Sequence, residues 1–130
     1  MKVLDATFLT DYLNGVDATA EYLLAHDDER FVIPAPAYAE VLVGEGNVPN
    51  GDVAAAKADL SWGEVYETDE ETAEIAGEIA SEVGPQGPFL VGMDGLIAAV
   101  GRELDAPVVS GDSDLTHEET KRVVDVEEYR

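Results

Sequence analysis

The chain has 130 residues, the size of one domain, and can bury roughly two-thirds of its unfolded surface without cross-links. It has no cysteine, which excludes disulfides and thiolate chemistry, and 29 Asp and Glu against 7 Lys and Arg give a formal charge of −22. That balance excludes nucleic-acid binding through broad basic patches, while 45% hydrophobic residues in periodic order exclude an acidic disordered chain.

In chain order, Lys2 to Asp5 reads as a short strand feeding a helix from Thr7 to Asn14, stopped near Gly15. Asp5 interrupts any signal-peptide core. Ala18, Tyr22 and Ala25 recur at helical spacing, which predicts a second helix from Ala18 to His26. Phe31 to Ile33 form a buried strand ended by Pro34-Ala35-Pro36. A helix then runs from Ala37 to Val43, closed by Gly44 and Gly46, and another from Asp52 to Leu60. Glu64 to Tyr66 make a third strand.

Asp69 to Val83 is the clearest amphipathic helix. Ile75, Ala76, Ile79, Ala80 and Val83 form its apolar stripe, and Glu71, Glu74 and Glu78 face water. Met93 to Leu104 is apolar on most sides and reads as a buried helix. Pro107 to Val109 give a fourth strand, then comes the turn Ser110-Gly111-Asp112-Ser113-Asp114, and Val123 and Val124 offer a last short strand. The longest weakly polar stretch, Phe89 to Gly101, contains Asp94 and is too short to span a bilayer, so a soluble, cytoplasmic protein without membrane association is expected. Short apolar strands alternating with helices predict a single α/β domain over residues 1–130, a parallel sheet covered on both faces. Sites in such sheets form beyond the carboxyl ends of the strands.

In so acidic a chain, one carboxylate carries little information, so the informative acids are those where a surface charge is awkward. Asp5 ends an apolar strand, where it is either a site ligand or the N-cap of the next helix. Glu40 is flanked by apolar residues on both sides, aimed into a cleft or carried at an edge. Asp94 lies in the least polar neighbourhood of the chain, between Val91-Gly92-Met93 and Gly95-Leu96-Ile97, where an unpaired carboxylate costs several kcal/mol. A helix N-cap or a bound metal would each account for it. Asp112 and Asp114 occupy a turn at a strand's carboxyl end, a common place for Asp. Converging carboxylates suit Mg²⁺ or Mn²⁺ and the hydrolysis of a phosphodiester without a Ser, His or Cys nucleophile. His26 and His117 lie in polar surroundings and read as surface residues.

These residues, in this order, resemble the PIN domain, and especially the VapC toxins of VapBC toxin–antitoxin pairs. Val3-Leu4-Asp5-Ala6-Thr7 is similar to the family's opening strand, and Ala39-Glu40-Val41-Leu42-Val43-Gly44 to its second block. Asp94-Gly95-Leu96-Ile97-Ala98-Ala99 is similar to the third block, and Val108-Val109-Ser110-Gly111-Asp112-Ser113-Asp114-Leu115 to the last. The resemblance implies a three-layer α/β/α sandwich and a Mg²⁺- or Mn²⁺-dependent endoribonuclease acting on RNA. It also implies a homodimer, inhibited by a cognate antitoxin that covers the active site. Asp5, Glu40, Asp94 and Asp112 would hold the metal, Asp114 would be an auxiliary acid, and Thr7 and Ser110 would support the carboxylates. The chain departs from the family's pattern at Ala37, Gly101 and Leu115, where Ser or Thr, Ala and Phe are usual. Few bases are left to grip RNA; Arg30, Arg102 and Arg122 are the candidates.

Other readings predict different behaviour. A housekeeping PIN nuclease of RNA maturation would share the site and lack the antitoxin. A phosphotransfer or receiver domain fits poorly, since Thr7 stands where a second Asp would be needed and no Lys lies between Lys57 and Lys121. In a non-catalytic acidic binding module, no group of acids would matter more than another. The charge also reads as adaptation to a salt-rich cytoplasm, where screening shortens to about 3 Å near 1 M salt.

Overall fold

The strands are short, and the central ones are apolar on both sides because both faces of the sheet are covered. In the computed structural model, which describes residues 1–130, β1 (Lys2–Leu4), β2 (Phe31–Pro34), β3 (Glu64–Tyr66), β4 (Val108–Ser110) and β5 (Val126–Glu128) form one sheet. The strands run in the order β3-β2-β1-β4-β5, with every pair parallel. Val3, Leu4, Ile33, Val108 and Val109 are fully buried at its centre.

The helices are α1 (Ala6–Leu13), α2 (Asp17–Ala25), α3 (Ala35–Asn47), α4 (Val53–Asp59), α5 (Glu70–Val83), α6 (Gly92–Leu104) and α7 (Glu118–Lys121). α6 crosses β1, β2 and β4 and carries α5 on its outer side, while α1 packs on β4, α2 and α3. The result is an α/β/α sandwich with a single cluster of 21 buried apolar residues. The departure at Gly101 has a packing reason. A Cβ there would stand 2.7 Å from Cγ2 of buried Val108, so the missing methyl lets α6 lie close on β4.

Four of the expected elements need correction. α3 does not stop at Gly44 and Gly46 but runs through them to Asn47. Both glycines are exposed on its outer side, where each costs roughly 0.5–1 kcal/mol relative to Ala and the helix tolerates it. Nor does the helix wait until Ala37: Pro34 closes β2 and caps α3, which starts at Ala35, and Pro36 occupies the first turn, where its missing N–H leaves nothing unpaired. On α5, Ala80 is exposed, and buried Thr72 joins Ile79 and Val83 on the inner face.

The last strand is not at Val123 and Val124. Their amides donate to Thr120 O at 3.0 and 2.9 Å, closing the short α7, so their backbone is already committed. The strand comes later, at Val126–Glu128, paired with β4 through Ser110↔Glu128. It reads as polar because it is the sheet's edge, where charge discourages pairing with other chains.

Candidate metal centre

β1 and β4 are neighbours in register Leu4↔Val109, so the residues just beyond them, Asp5 and the turn from Ser110, leave the sheet side by side at its carboxyl edge. Asp5 is buried and caps α1: its Oδ1 accepts from Phe8 N at 2.9 Å. The Thr7 hydroxyl lies 2.7 and 2.9 Å from its two oxygens, and the Ser110 hydroxyl donates to Oδ2. Burial pushes the Asp5 carboxyl up, these donors pull it back, and the Asp112 charge pushes again, for a net rise above 3.8.

The same hydroxyls bind the turn. Thr7 Oγ1 accepts from Gly111 N and Ser110 Oγ from Asp112 N, both at 2.9 Å. Asp112 Oδ2 accepts from Asp114 N at 2.9 Å and Leu115 N at 3.1 Å. Leu115 is fully buried, so the position where the family usually has Phe is a core anchor for this turn.

Asp94 arrives from α6. It is not the cap: Val91 is, without any side-chain bond, and Asp94 lies in the helix's first turn. Carboxylate oxygens of Asp94, Asp112 and Asp114 lie within 4.8 Å of one another, all three residues half-buried. Burial pushes the Asp94 carboxyl up, and the charges of Asp112, Asp114, Asp5 and Glu40 push it further, to about 6. Such a group lacks a positive charge. Three oxygen donors converging with no base among them fit a hard divalent cation and suit neither a soft metal nor an anion.

Glu40 stands apart from this trio. It is exposed on α3 and borders two clefts, one with Ala6, Thr7, Thr10, Asp11 and Arg130, the other reaching Leu13, Glu45 and Val48. Its apolar neighbours in sequence do not bury it, because Ala39 and Val43 are exposed as well. Asp114, expected as an auxiliary acid, brings a carboxylate oxygen within 4.8 Å of those of Asp94 and Asp112.

The bases suggested by the sequence are occupied elsewhere. Arg30 pairs with Glu64 at the amino end of β2, and Arg122 pairs with Glu119. Arg102 pairs with Glu82 and donates to Val123 O. The base beside the site is Arg130, which sequence reasoning missed; the signal lay in its place just after the edge strand. His117 is exposed and caps α7, while half-buried His26 stacks on Tyr22, its centroid 4.0 Å away.

A comparison with curated proteins gives no match. Among solved structures, the chain is similar to a toxin–antitoxin complex from Klebsiella pneumoniae at 17% identity and TM-score 0.80, covering 100% of this chain and 98% of that one. It is also similar to DNA-bound VapBC from Salmonella typhimurium at 19% identity and TM-score 0.80, covering 99% and 98%. VapC20 from Mycobacterium tuberculosis, a toxin that cleaves the sarcin–ricin loop, matches at 16% identity and TM-score 0.68 over 95% and 96%. At these identities the likeness is one of fold. The family model of the PIN domain matches residues 2–121, and the chain belongs to that family.

Proposed function

We propose that this PIN domain is a Mg²⁺- or Mn²⁺-dependent endoribonuclease and the toxin of a type II toxin–antitoxin pair. The observation that carries the reading is the un-neutralised group Asp94, Asp112 and Asp114 at the carboxyl edge of the sheet. A divalent ion bound there supplies a water of lowered pKa and neutralises charge on the phosphodiester.

The chain's own residues supply the rest. Asp94 must lose its proton, raised to about 6, before it binds a cation. Asp112 is oriented by two backbone N–H groups on one oxygen, which leaves the other for the ion. Asp5, fixed by Thr7, Ser110 and the Phe8 amide, would present its charge from below, and Glu40 would complete the set from the exposed rim. Asp114 would contribute from the turn.

The toxin reading is supported by neighbours that are toxin–antitoxin complexes, two of them from VapBC pairs on DNA. It brings with it an antitoxin that covers this cleft, a homodimer and a cytoplasmic place of work. No helix is long and apolar enough to cross a membrane. The charge of −22 is read as adaptation to molar salt, so KCl should raise Tm steeply; an unchanged Tm would remove that part of the reading.

The direct test incubates the purified protein with total RNA in high salt with Mg²⁺, with Mn²⁺ and with EDTA. Cleavage is expected with either ion and not with EDTA. Cleavage that persists in EDTA would rule out the metal mechanism.

A further inference from the structure

Six of the seven Lys and Arg residues have a carboxylate partner, Lys57 being the exception. The Arg130–Asp11 pair is the longest of these, at 3.4 Å. It is also the pair beside the carboxylate site, for a topological reason. β5 runs parallel to β4 with Glu128 opposite Ser110, so the chain leaving β5 emerges at the same edge as the Ser110–Asp114 turn.

The two residues after β5 are held in place there. Tyr129 packs edge-on against Phe8 at 4.8 Å and donates its hydroxyl to Asp11 Oδ2 at 2.6 Å. The next side chain, Arg130, lies over the backbone of Gly111: a Cβ on that glycine would stand 2.5 Å from Nε. Gly111 thus leaves the space in which the guanidinium rests, directly before Asp112. Arg130 shares a cleft of about 190 Å³ with Ala6, Thr7, Thr10, Asp11 and Glu40, and is its only base. One guanidinium nitrogen reaches Gly111 O at 3.4 Å, and Asp11 is shared with Tyr129. The side chain is nevertheless 49% exposed, so donors among its five remain free to face the cleft.

We infer that Arg130 is the RNA grip of this enzyme, binding a backbone phosphate beside the one that the carboxylates act on. The inference rests on the nuclease reading above. A strand of phosphodiesters entering this cleft meets carboxylates and a single base, so this guanidinium is the one side chain there that attracts it. The planar fork can hold a phosphate through two parallel hydrogen bonds, a geometry an ammonium lacks. Because the contact is to phosphate, it secures the strand without reading its sequence.

The test compares wild type, R130Q, R130K and G111A on a single-stranded RNA oligonucleotide with Mn²⁺, at KCl concentrations where every variant shows wild-type Tm. R130Q should raise KM about tenfold while kcat stays within about twofold, as for loss of a charged hydrogen bond made equally in the ground and transition states. The slope of log KM against log salt should fall by about 0.7, one phosphate contact to single-stranded RNA. R130K should recover only part of the loss. G111A, which pushes the guanidinium aside and leaves the charge, should raise KM by less than R130Q. If wild type cleaves RNA and R130Q matches it in KM and salt slope, Arg130 is not the grip and the nuclease reading stands. Arg130 is equally ruled out as the grip if kcat falls with KM unchanged, or if R130Q loses only binding of an acidic protein partner. If wild type cleaves nothing in Mn²⁺, both readings fall together.

Discussion

Two parts of one sheet treat their acids in opposite ways. On the edge strand β5, Glu127 meets Lys2 at 2.6 Å and the Tyr22 hydroxyl at 2.9 Å, and Glu128 meets Lys121 at 2.7 Å. Burial pushes the Glu127 carboxyl up, but Lys2 and Tyr22 outweigh it and hold it below its ordinary range. At the carboxyl edge, beyond β1 and β4, the influences on Asp94 all act in one direction: burial and four neighbouring carboxylates raise it to about 6. A chain with 29 acids and 7 bases therefore sets Lys2 and Lys121 against the edge strand and pairs no base with Asp94, Asp112 or Asp114. Repulsion of that kind is destabilising until a cation arrives, which distinguishes a binding site from a solvated surface.

The largest effect should come from exchanging one acid on each side. D94N removes a proposed ligand from the cleft and should lower RNA cleavage by more than about a hundredfold, since even partners of metal ligands are worth 10–100-fold. It should also raise the Tm of the metal-free protein, because an uncompensated charge is gone. E127Q should do the reverse: cleavage close to wild type, and stability lower by about 1 kcal/mol through the weakened Lys2 pair. Activity assays with thermal melts of both variants decide it; a D94N protein that cleaves normally ends the comparison.

A second, smaller effect concerns pH. Asp94 ionises near 3.8 in the unfolded chain and near 6 in the fold, so between those values the folded protein holds a proton that the unfolded one has released. Its contribution to metal-free stability must therefore fall as pH rises through that window and remain at its lowest above 6. Mn²⁺ bound at the proposed site would compete with the same proton. Its affinity should rise about tenfold per pH unit up to roughly 6 and then level off, while D94N shows little of this slope. Calorimetric titration of Mn²⁺ across that range would show the break; an affinity flat with pH would place the ion elsewhere.

Much of this arrangement is legible from residue order, for reasons that vary by residue. The β1–α1 and β4-turn segments read correctly because a short apolar strand that ends in an acid leaves little choice of where its carboxylate emerges. Asp94 stands out because its neighbours form the most buried helix of the chain, with Ile97 to Gly101 all inside. Glu40 attracted notice for a weaker reason, since exposed Ala39 and Val43 only imitate a core. The approach of Asp114 to Asp94 depends on where α6 crosses the sheet, which no local pattern encodes. β5 stayed hidden because an edge strand with Glu127 and Glu128 lacks apolar alternation, and Arg130 was hidden with it. The value of that base lies in the β4–β5 register, a long-range property.

Asp5 sits between the two treatments and offers the finest test of them. It is almost wholly buried, yet its partners are neutral donors, not a cation. If those donors are what allow an ionised carboxylate there, then S110A should cost about 1–3 kcal/mol, the penalty for leaving a buried acceptor short of a partner. The cost should also depend on pH. Removing the Ser110 hydroxyl takes away an influence that lowers the Asp5 pKa, so the residue's pKa, already raised, climbs further. The extra destabilisation is then greatest where Asp5 is ionised and shrinks where it is protonated. Urea unfolding of wild type and S110A at about pH 8 and about pH 3, on either side of the ordinary carboxyl range, measures the difference. An equal cost at both would mean that the hydroxyl matters only as the acceptor for Asp112 N–H, and that Asp5 tolerates burial by holding its proton.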